Sequence, residues 1–216
     1  MIFSIDDDAA FSTPHVVEQT LRDFVDPRIG AIAIPYLEPR KENRLLQKSP
    51  DRESVWITDR FIGTAHALRR DIFLKLGGYR EHLVHQGEES DYCLRMLDAG
   101  YFVRLGNADP IHHFESPKRD FRRMDYYGCR NPVIYSWQNV PMPWLPVHLV
   151  ATTINCLTWT FRPERFAVRM RGALGGWGAM FRLPRSPVKH SVYRVSRHLR
   201  KCGAMSLTAI KELLRL

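Results

Sequence analysis

Residues 1–11 read MIFSIDDDAAF, a short apolar run that stops at three consecutive aspartates. The run MIFSI has the apolar density of a buried strand. Asp6, Asp7 and Asp8 then repel one another unless water or a cation takes up their charge. Alternate residues of an extended chain share a face, so Asp6 and Asp8 point one way while Asp7 points elsewhere. Strand ends are where open α/β sheets bind ligands. Two hard carboxylate ligands with open positions suit Mg2+ or Mn2+, ions that complete their shell with substrate phosphates. A solvated acidic turn accounts for the same three residues equally well.

The chain that follows alternates between strand and helix patterns. STPHVVEQTLRDFVD (12–26) predicts a helix capped by Ser12 or Thr13, with Pro14 in its first turn and Val17, Leu21, Phe24 and Val25 on one face. IGAIAIPYL (29–37) predicts a second buried strand, and the charged stretch EPRKENRLLQKSPDRESV (38–55) a surface excursion beside a binding cleft. RFIGTAHALRRDIFLKLGGYRE (60–81) predicts strand, small-residue turn and helix, closed by Gly77-Gly78. EESDYCLRMLDAGY (88–101) predicts another helix, stopped at Gly100, and YFVRLG (101–106) another strand. This alternation implies an α/β domain, and no internal repeat interrupts it.

After Pro141 the texture changes. WLPVHLVATTINCLTWTF (144–161) carries no formal charge. Val147, Val150, Ile154, Leu157 and Phe161 fit one helix face, with His148, Thr152 and Asn155 on the other. The segment is polar for a membrane span, so an interfacial or re-entrant helix is expected, or a buried core helix where more protein packs on it. Arg162, Arg165, Arg169 and Arg171 follow directly, a flank suited to an anionic leaflet. Residues 1–116 carry a net charge of −5 and residues 117–216 a net charge of +14. Such asymmetry implies an anionic partner or a solubilising basic surface. Nucleic acid is not the expected partner, because neither helix-turn-helix nor zinc-finger spacing occurs. Cys93, Cys129, Cys156 and Cys202 form no CxxC pair, which favours a reduced, cytosolic setting, and the five opening apolar residues are too few for a secretory signal.

Two further clusters carry titratable groups. In GEESDYCLR (87–95), Glu88, Glu89 and Asp91 fall at the start of a helix. The helix dipole favours acids there, and a general base needs a carboxylate held in this way. In DPIHHFESPKRD (109–120), His112 and His113 are paired after a strand, as ligands or as ordinary polar loop residues. Without cysteines they would not close a zinc site.

In their order along residues 1 to about 140, SIDDDAAF, GTAHALRRDIFLKLGGYRE, GEESDYCLRMLDAGY, HFES and YYGCRN resemble the family 2 glycosyltransferases of the GT-A fold, especially the bacterial group that builds rhamnose- or galactofuranose-containing surface polysaccharides. RMRGALGGWGAMFRLPRSPV also resembles the tail of such enzymes. The resemblance implies a partial GT-A domain, a Rossmann-like nucleotide-diphospho-sugar transferase unit, over 1–140, and a helical, basic tail over 141–216 that meets the membrane. It implies a metal-dependent inverting transferase that moves sugar from a nucleotide-sugar donor to a polysaccharide or lipid-linked acceptor, at the cytoplasmic membrane face. Asp6 and Asp8 would bind Mg2+ or Mn2+ with Asp7 beside them, and His113, with His112 as fallback, would complete the shell. Glu89 would be the catalytic base, with Asp91 the second candidate. Gly63, Thr64 and Ala65 would line the sugar or acceptor pocket, and Arg95 and Arg130 would meet phosphate, though Arg95 could equally pair with Asp91 along its helix. The family also places a strand, helix and strand that hold the nucleoside base ahead of the aspartates, and this sequence starts at the aspartate strand. An inactive truncated relative that binds membrane or a partner chain is therefore the alternative.

Overall fold

The computed structural model describes residues 1–116, 119–159 and 161–214. In chain order these form β1 (Ile2–Ile5), β2 (Ala9–Phe11), α1 (Val16–Arg22), β3 (Ile29–Ala33), β4 (Tyr36–Glu38), β5 (Arg44–Leu46), β6 (Trp56–Thr58), β7 (Ala65–Leu68) and α2 (Arg70–Lys75). After a 3-10 turn at Glu81–Leu83 come α3 (Glu88–Asp98), β8 (Phe102–Leu105), β9 (Ile111–His113), α4 (Phe121–Asn139), α5 (Trp144–Thr158), α6 (Pro163–Ala179), α7 (His190–Cys202), β10 (Met205–Ser206) and α8 (Leu207–Leu214). The fold class is α/β. Two compact units share the chain: Met1–Gly78, Cys93–Pro117 and Arg194–Leu216 form the first, Tyr79–Tyr92 and Lys118–Tyr193 the second.

The first unit holds two mixed sheets, ordered β1-β7-β3-β8-β6-β10 and β2-β9-β4-β5. β3 lies inside the larger sheet, parallel to β8 and antiparallel to β7. All five of its residues are buried, as the unbroken apolar run IGAIA requires of a strand covered on both faces. Ile29, Ile32 and Ile34 pack with Val16, Tyr36, Ala65, Ala67, Ala108 and Ile111, and Phe3 and Ile5 of β1 complete the cluster. Three times the chain leaves the larger sheet and enters the smaller one directly: from β1 to β2, from β3 to β4 and from β8 to β9. The three aspartates occupy the first of these crossings.

Several expectations need correction. The predicted buried strand MIFSI is an edge strand with half-buried residues, because β7 is its one partner among the described strands. The predicted strand 29–37 is two strands in different sheets, divided at Ile34-Pro35, where proline cannot continue a ladder. The first helix starts only at Val16, and neither Ser12 nor Thr13 caps it. The Thr13 hydroxyl is committed to Asp109 Oδ2 at 2.9 Å instead. Within the supposed surface excursion, Arg44–Leu46 pairs back onto β4. The basic C-terminal stretch also supplies a strand, β10, which pairs with β6 at the edge of the larger sheet.

The second unit is helical. α4 is capped by Asp120, whose carboxylate accepts the Arg123 N–H at 3.0 Å. Gly172 and Gly176 lie one turn apart on α6 and let it approach α4 closely. A Cβ on Gly172 would run into the Tyr126 carbonyl oxygen, and one on Gly176 would meet the Arg130 carbonyl oxygen at 2.7 Å. α5 turns the opposite way from a core helix. Leu145 and Leu149 are buried and His148 faces inward, accepting or donating at 2.9 Å to the Ser136 hydroxyl. Val147, Val150 and Ile154 are 71%, 55% and 53% exposed, so the predicted apolar face is the outer one. No described helix is long and apolar enough to cross a membrane.

Candidate metal centre

The register between β2 and β9 decides which side chains meet. Ala9 pairs with His113, so Asp8, one residue earlier, lies beside the end of β9. Two further bonds fix it: its carbonyl accepts the Phe114 N–H at 2.8 Å, and its Oδ2 accepts the Ser116 N–H at 3.0 Å. Asp6, the first residue after β1, accepts the Thr64 hydroxyl on Oδ2 at 2.9 Å, and its N–H donates to the Thr64 carbonyl at 3.3 Å. Backbone and hydroxyl bonds thus aim both carboxylates at one place.

That place is His113. Its Nε2 lies 3.3 Å from Asp8 Oδ1 and 3.8 Å from Asp6 Oδ2. One ligand atom from each of the three residues falls within 4.8 Å of the others. An octahedral ion with ligands at about 2.1 Å needs donor atoms roughly 3 to 4 Å apart, so both histidine–aspartate pairs fit Mg2+ or Mn2+. The donor set of two carboxylates and one imidazole also matches hard or borderline divalent ions. Asp6 and Asp8 are open to solvent while the imidazole is almost fully buried, which leaves coordination positions facing outward. Among the described residues no lysine or arginine pairs with either aspartate.

Behind His113 the site is packed. Tyr36 meets the imidazole edge-on at 6.0 Å, and burial first, then Glu38, pushes its phenol up to about 12. Glu38, itself buried, places Oε1 3.9 Å from His113 Nδ1. Nδ1 makes no hydrogen bond among the described residues. Glu38, the last residue of β4, was hidden at the head of the charged stretch 38–55; the period-2 alternation from Tyr36 was the signal that would have turned it inward. Lys41 bridges Glu38 at 3.2 Å and Glu115 at 2.5 Å, tying that stretch to the end of β9.

The loop that carries Thr64 is rigid for identifiable reasons. His66 stacks on Phe61 at 4.1 Å, its Nδ1 lies 3.1 Å from the Gly63 carbonyl, and burial holds its imidazole down to about 4. Gln47 donates to the carbonyls of Ile34 and Ala65 and accepts the Ile62 N–H. Thr64 and Ala65 are buried there and Gly63 is half-buried. Asp7 is exposed and takes no part in the cluster. His112 alternates to the other side of β9 and meets Phe114 edge-on, so the fallback ligand is not brought in.

The remaining candidates have employments of their own. Arg95 donates to the Leu76 and Gly78 carbonyls at 2.7 and 2.6 Å, closing the C-terminus of α2, which is the work of a helix-end cation. In the second unit, Asp91 is fully buried, pairs with Arg80 Nη1 at 2.7 Å and accepts the Asn139 amide at 2.8 Å. A carboxylate sealed in this way cannot reach an acceptor hydroxyl, so it is not available as the second candidate base. Glu89 is half-buried near the start of α3; burial first, then Arg123, holds the His85 imidazole below its usual range, with Glu89 acting in the opposite direction. Burial raises the Glu88 carboxyl, whose Oε2 has no hydrogen-bond partner among the described residues. Arg130 donates to the His82 carbonyl at 2.8 Å and to Asn131 Oδ1 at 2.9 Å.

No protein-family model matches the chain, and no curated protein matches it. Among solved structures the chain is similar to the mannosyltransferase PcManGT from Pyrobaculum calidifontis in complex with GDP-Man and Mn2+, at 17% identity and a TM-score of 0.45. The likeness covers 97% of this chain and 55% of that one, so the chain spans about half the length of that structure. Function therefore has to be argued from this chain's own residues.

Proposed function

We propose that this chain belongs to a metal-dependent glycosyltransferase of the GT-A type, one that inverts the anomeric centre of a nucleotide-sugar donor. The observation that carries the reading is the meeting of Asp6 and Asp8 with His113, far along the sequence from them, around a point with room for a cation and, among the described residues, no competing cationic side chain. A bound Mg2+ or Mn2+ supplies Lewis-acid neutralisation of the charge that develops on a departing nucleoside diphosphate. Asp6 and Asp8 hold the ion, Thr64 and the Ser116 N–H fix their orientation, and Tyr36 and Glu38 back His113. Glu89 is proposed as the base that takes the proton from the acceptor hydroxyl, and Arg130 as a phosphate partner.

The acceptor we propose is a polysaccharide or lipid-linked glycan of the cell surface, met at the cytoplasmic face of the membrane. The outward apolar face of α5 supports this reading, with Trp159 and Phe161 exposed beyond its end and Arg162 and Arg171 exposed near by. The same face supports the second reading, an inactive relative that binds membrane or a partner chain.

Calorimetric titration separates the two. Mn2+ with UDP, then with dTDP, is expected to bind the chain only when metal and nucleotide are both present, and Asp8→Ala is expected to remove that binding. Binding that persists with excess chelator overturns the metal assignment. For Glu89→Gln the expectation is turnover lowered by roughly a hundredfold or more with donor affinity retained. A variant that loses affinity and keeps its turnover removes Glu89 from the role of base.

A further inference from the structure

Four cysteines are spread along the sequence without a spacing motif, yet the second unit brings two of them together. Cys129 lies on α4 and Cys156 on α5. The Cys129 thiol donates to the Cys156 carbonyl at 3.3 Å, and the Cys156 thiol approaches the carbonyl of Gly128, the residue before Cys129, at 3.6 Å. Each sulfur therefore points at the backbone that carries the other, at one level of the helix crossing. The interaction between the two neighbouring thiols holds Cys156 below its ordinary range; the same interaction, with burial, pushes Cys129 up. Arg169 adds a positive charge that favours both thiolates.

Access is unequal. Cys129 is 3% exposed, whereas Cys156 is half-buried. Both line a cavity of about 290 Å³ shared with Asp125, Asn155, Trp159 and Arg169, large enough for a small oxidant. Low pKa, access and a neighbouring thiol are what separate a reactive cysteine from an inert one. Cys93 is buried, and Cys202 is exposed with His198 rather than a second thiol near it.

We propose that Cys129 and Cys156 are a redox-modification site, a dithiol that a hydroperoxide converts to a disulfide joining α4 to α5. The Cys156 thiolate attacks the peroxide oxygen, the O–O bond breaks, and one water or alcohol leaves after protonation. Cys129 sulfur then attacks the resulting sulfenic sulfur, the S–O bond breaks and a second water leaves. The two thiols lose two electrons, the peroxide gains two, and both thiol protons end on oxygen. The site stands independently of any glycosyl transfer.

The test uses the full chain. It is treated with a small excess of hydrogen peroxide, unfolded in N-ethylmaleimide to block remaining thiols, and digested with trypsin without reductant. The expected product links peptide 124–130 to peptide 131–165, two hydrogens lighter than the pair, and is released by dithiothreitol. It is expected to persist in Cys93→Ser and Cys202→Ser and to vanish in Cys129→Ser and Cys156→Ser. Cys156 carried to sulfinic acid while Cys129 is still alkylated would overturn the proposal. So would oxidation confined to Cys202.

Discussion

The second unit and the first treat their buried or crowded carboxylates differently. In the second, arginine closes two of them: Asp91 is sealed by Arg80 and Asn139, and Asp125 by Arg165 and by Arg169 at 3.1 Å. In the first, Asp6 and Asp8 both face His113, with hydroxyl and amide donors but, among the described residues, no lysine or arginine. Shortage of cations is not the reason. The same unit pairs Asp23 with Arg104 at 2.9 Å, Asp59 with Arg200 at 3.1 Å and Asp26 with Lys211 at 2.7 Å. A carboxylate pair with no lysine or arginine partner among the described residues, in a unit that gives one to Asp23, Asp26 and Asp59, is what the proposed cation site needs.

The largest effect expected from this contrast is on chemistry, not on stability. Asp8→Ala is expected to cut metal-dependent turnover on the order of a thousandfold, since the charge stabilisation a metal supplies is worth several kcal/mol. The thermal midpoint without metal is expected to hold or rise, because a repelling charge is gone. Turnover assays with a metal series and melting curves with and without Mn2+ check both halves. A variant that unfolds would place Asp8 with the structural carboxylates and erase the contrast.

Asp91→Ala is the opposite case. It leaves the half-buried Arg80 robbed of its carboxylate, and an expected loss of about 3 kcal/mol should appear in urea unfolding. If a loss that size is absent, Asp91 is not structural and returns as a candidate base. Next comes Gly176→Val, which drives a side chain into the Arg130 carbonyl and Val133 on α4, with an expected cost of about 2 kcal/mol. The same substitution at Gly178, which has nothing within 4 Å, is the control.

The sequence made parts of this contrast legible and hid others. The opening aspartates, the Gly77-Gly78 helix stop and the α3 helix were visible because each depends on local chemistry: charge crowding, positive φ and apolar period. His113 was set ahead of His112 and joined to the aspartates only through a family likeness, since its meeting with Asp8 depends on β2–β9 pairing across a hundred residues of chain. The sealed state of Asp91 was invisible for the same reason, because Arg80 lies before the helix and Asn139 ends another one. The apolar face of α5 was legible, but its cover was left open between an interfacial helix and a buried core one, because hydropathy marks which face is apolar and not whether anything covers it. Cys129 and Cys156 were dismissed on spacing alone, although spacing says nothing about two helices that cross.

The smallest effect tests whether an ordinary ion pair in the first unit behaves as one. Asp26 takes the Lys211 ammonium at 2.7 Å, and this bond, set against partial burial and helped by the Arg28 N–H, holds its carboxyl below the usual range. A depressed folded pKa contributes stability that is present above the unfolded value and lost as pH falls through the folded one. Lys211→Met is therefore expected to cost about 0.5 kcal/mol at neutral pH, as partly exposed pairs do, and progressively less as the pH drops below about 4. Chemical denaturation of both proteins between pH 3 and pH 7 measures the narrowing gap. A gap that stays constant with pH would assign the lysine's contribution to its methylene stem packing in α8, and would leave Asp26 as a second first-unit carboxylate that does without its cation.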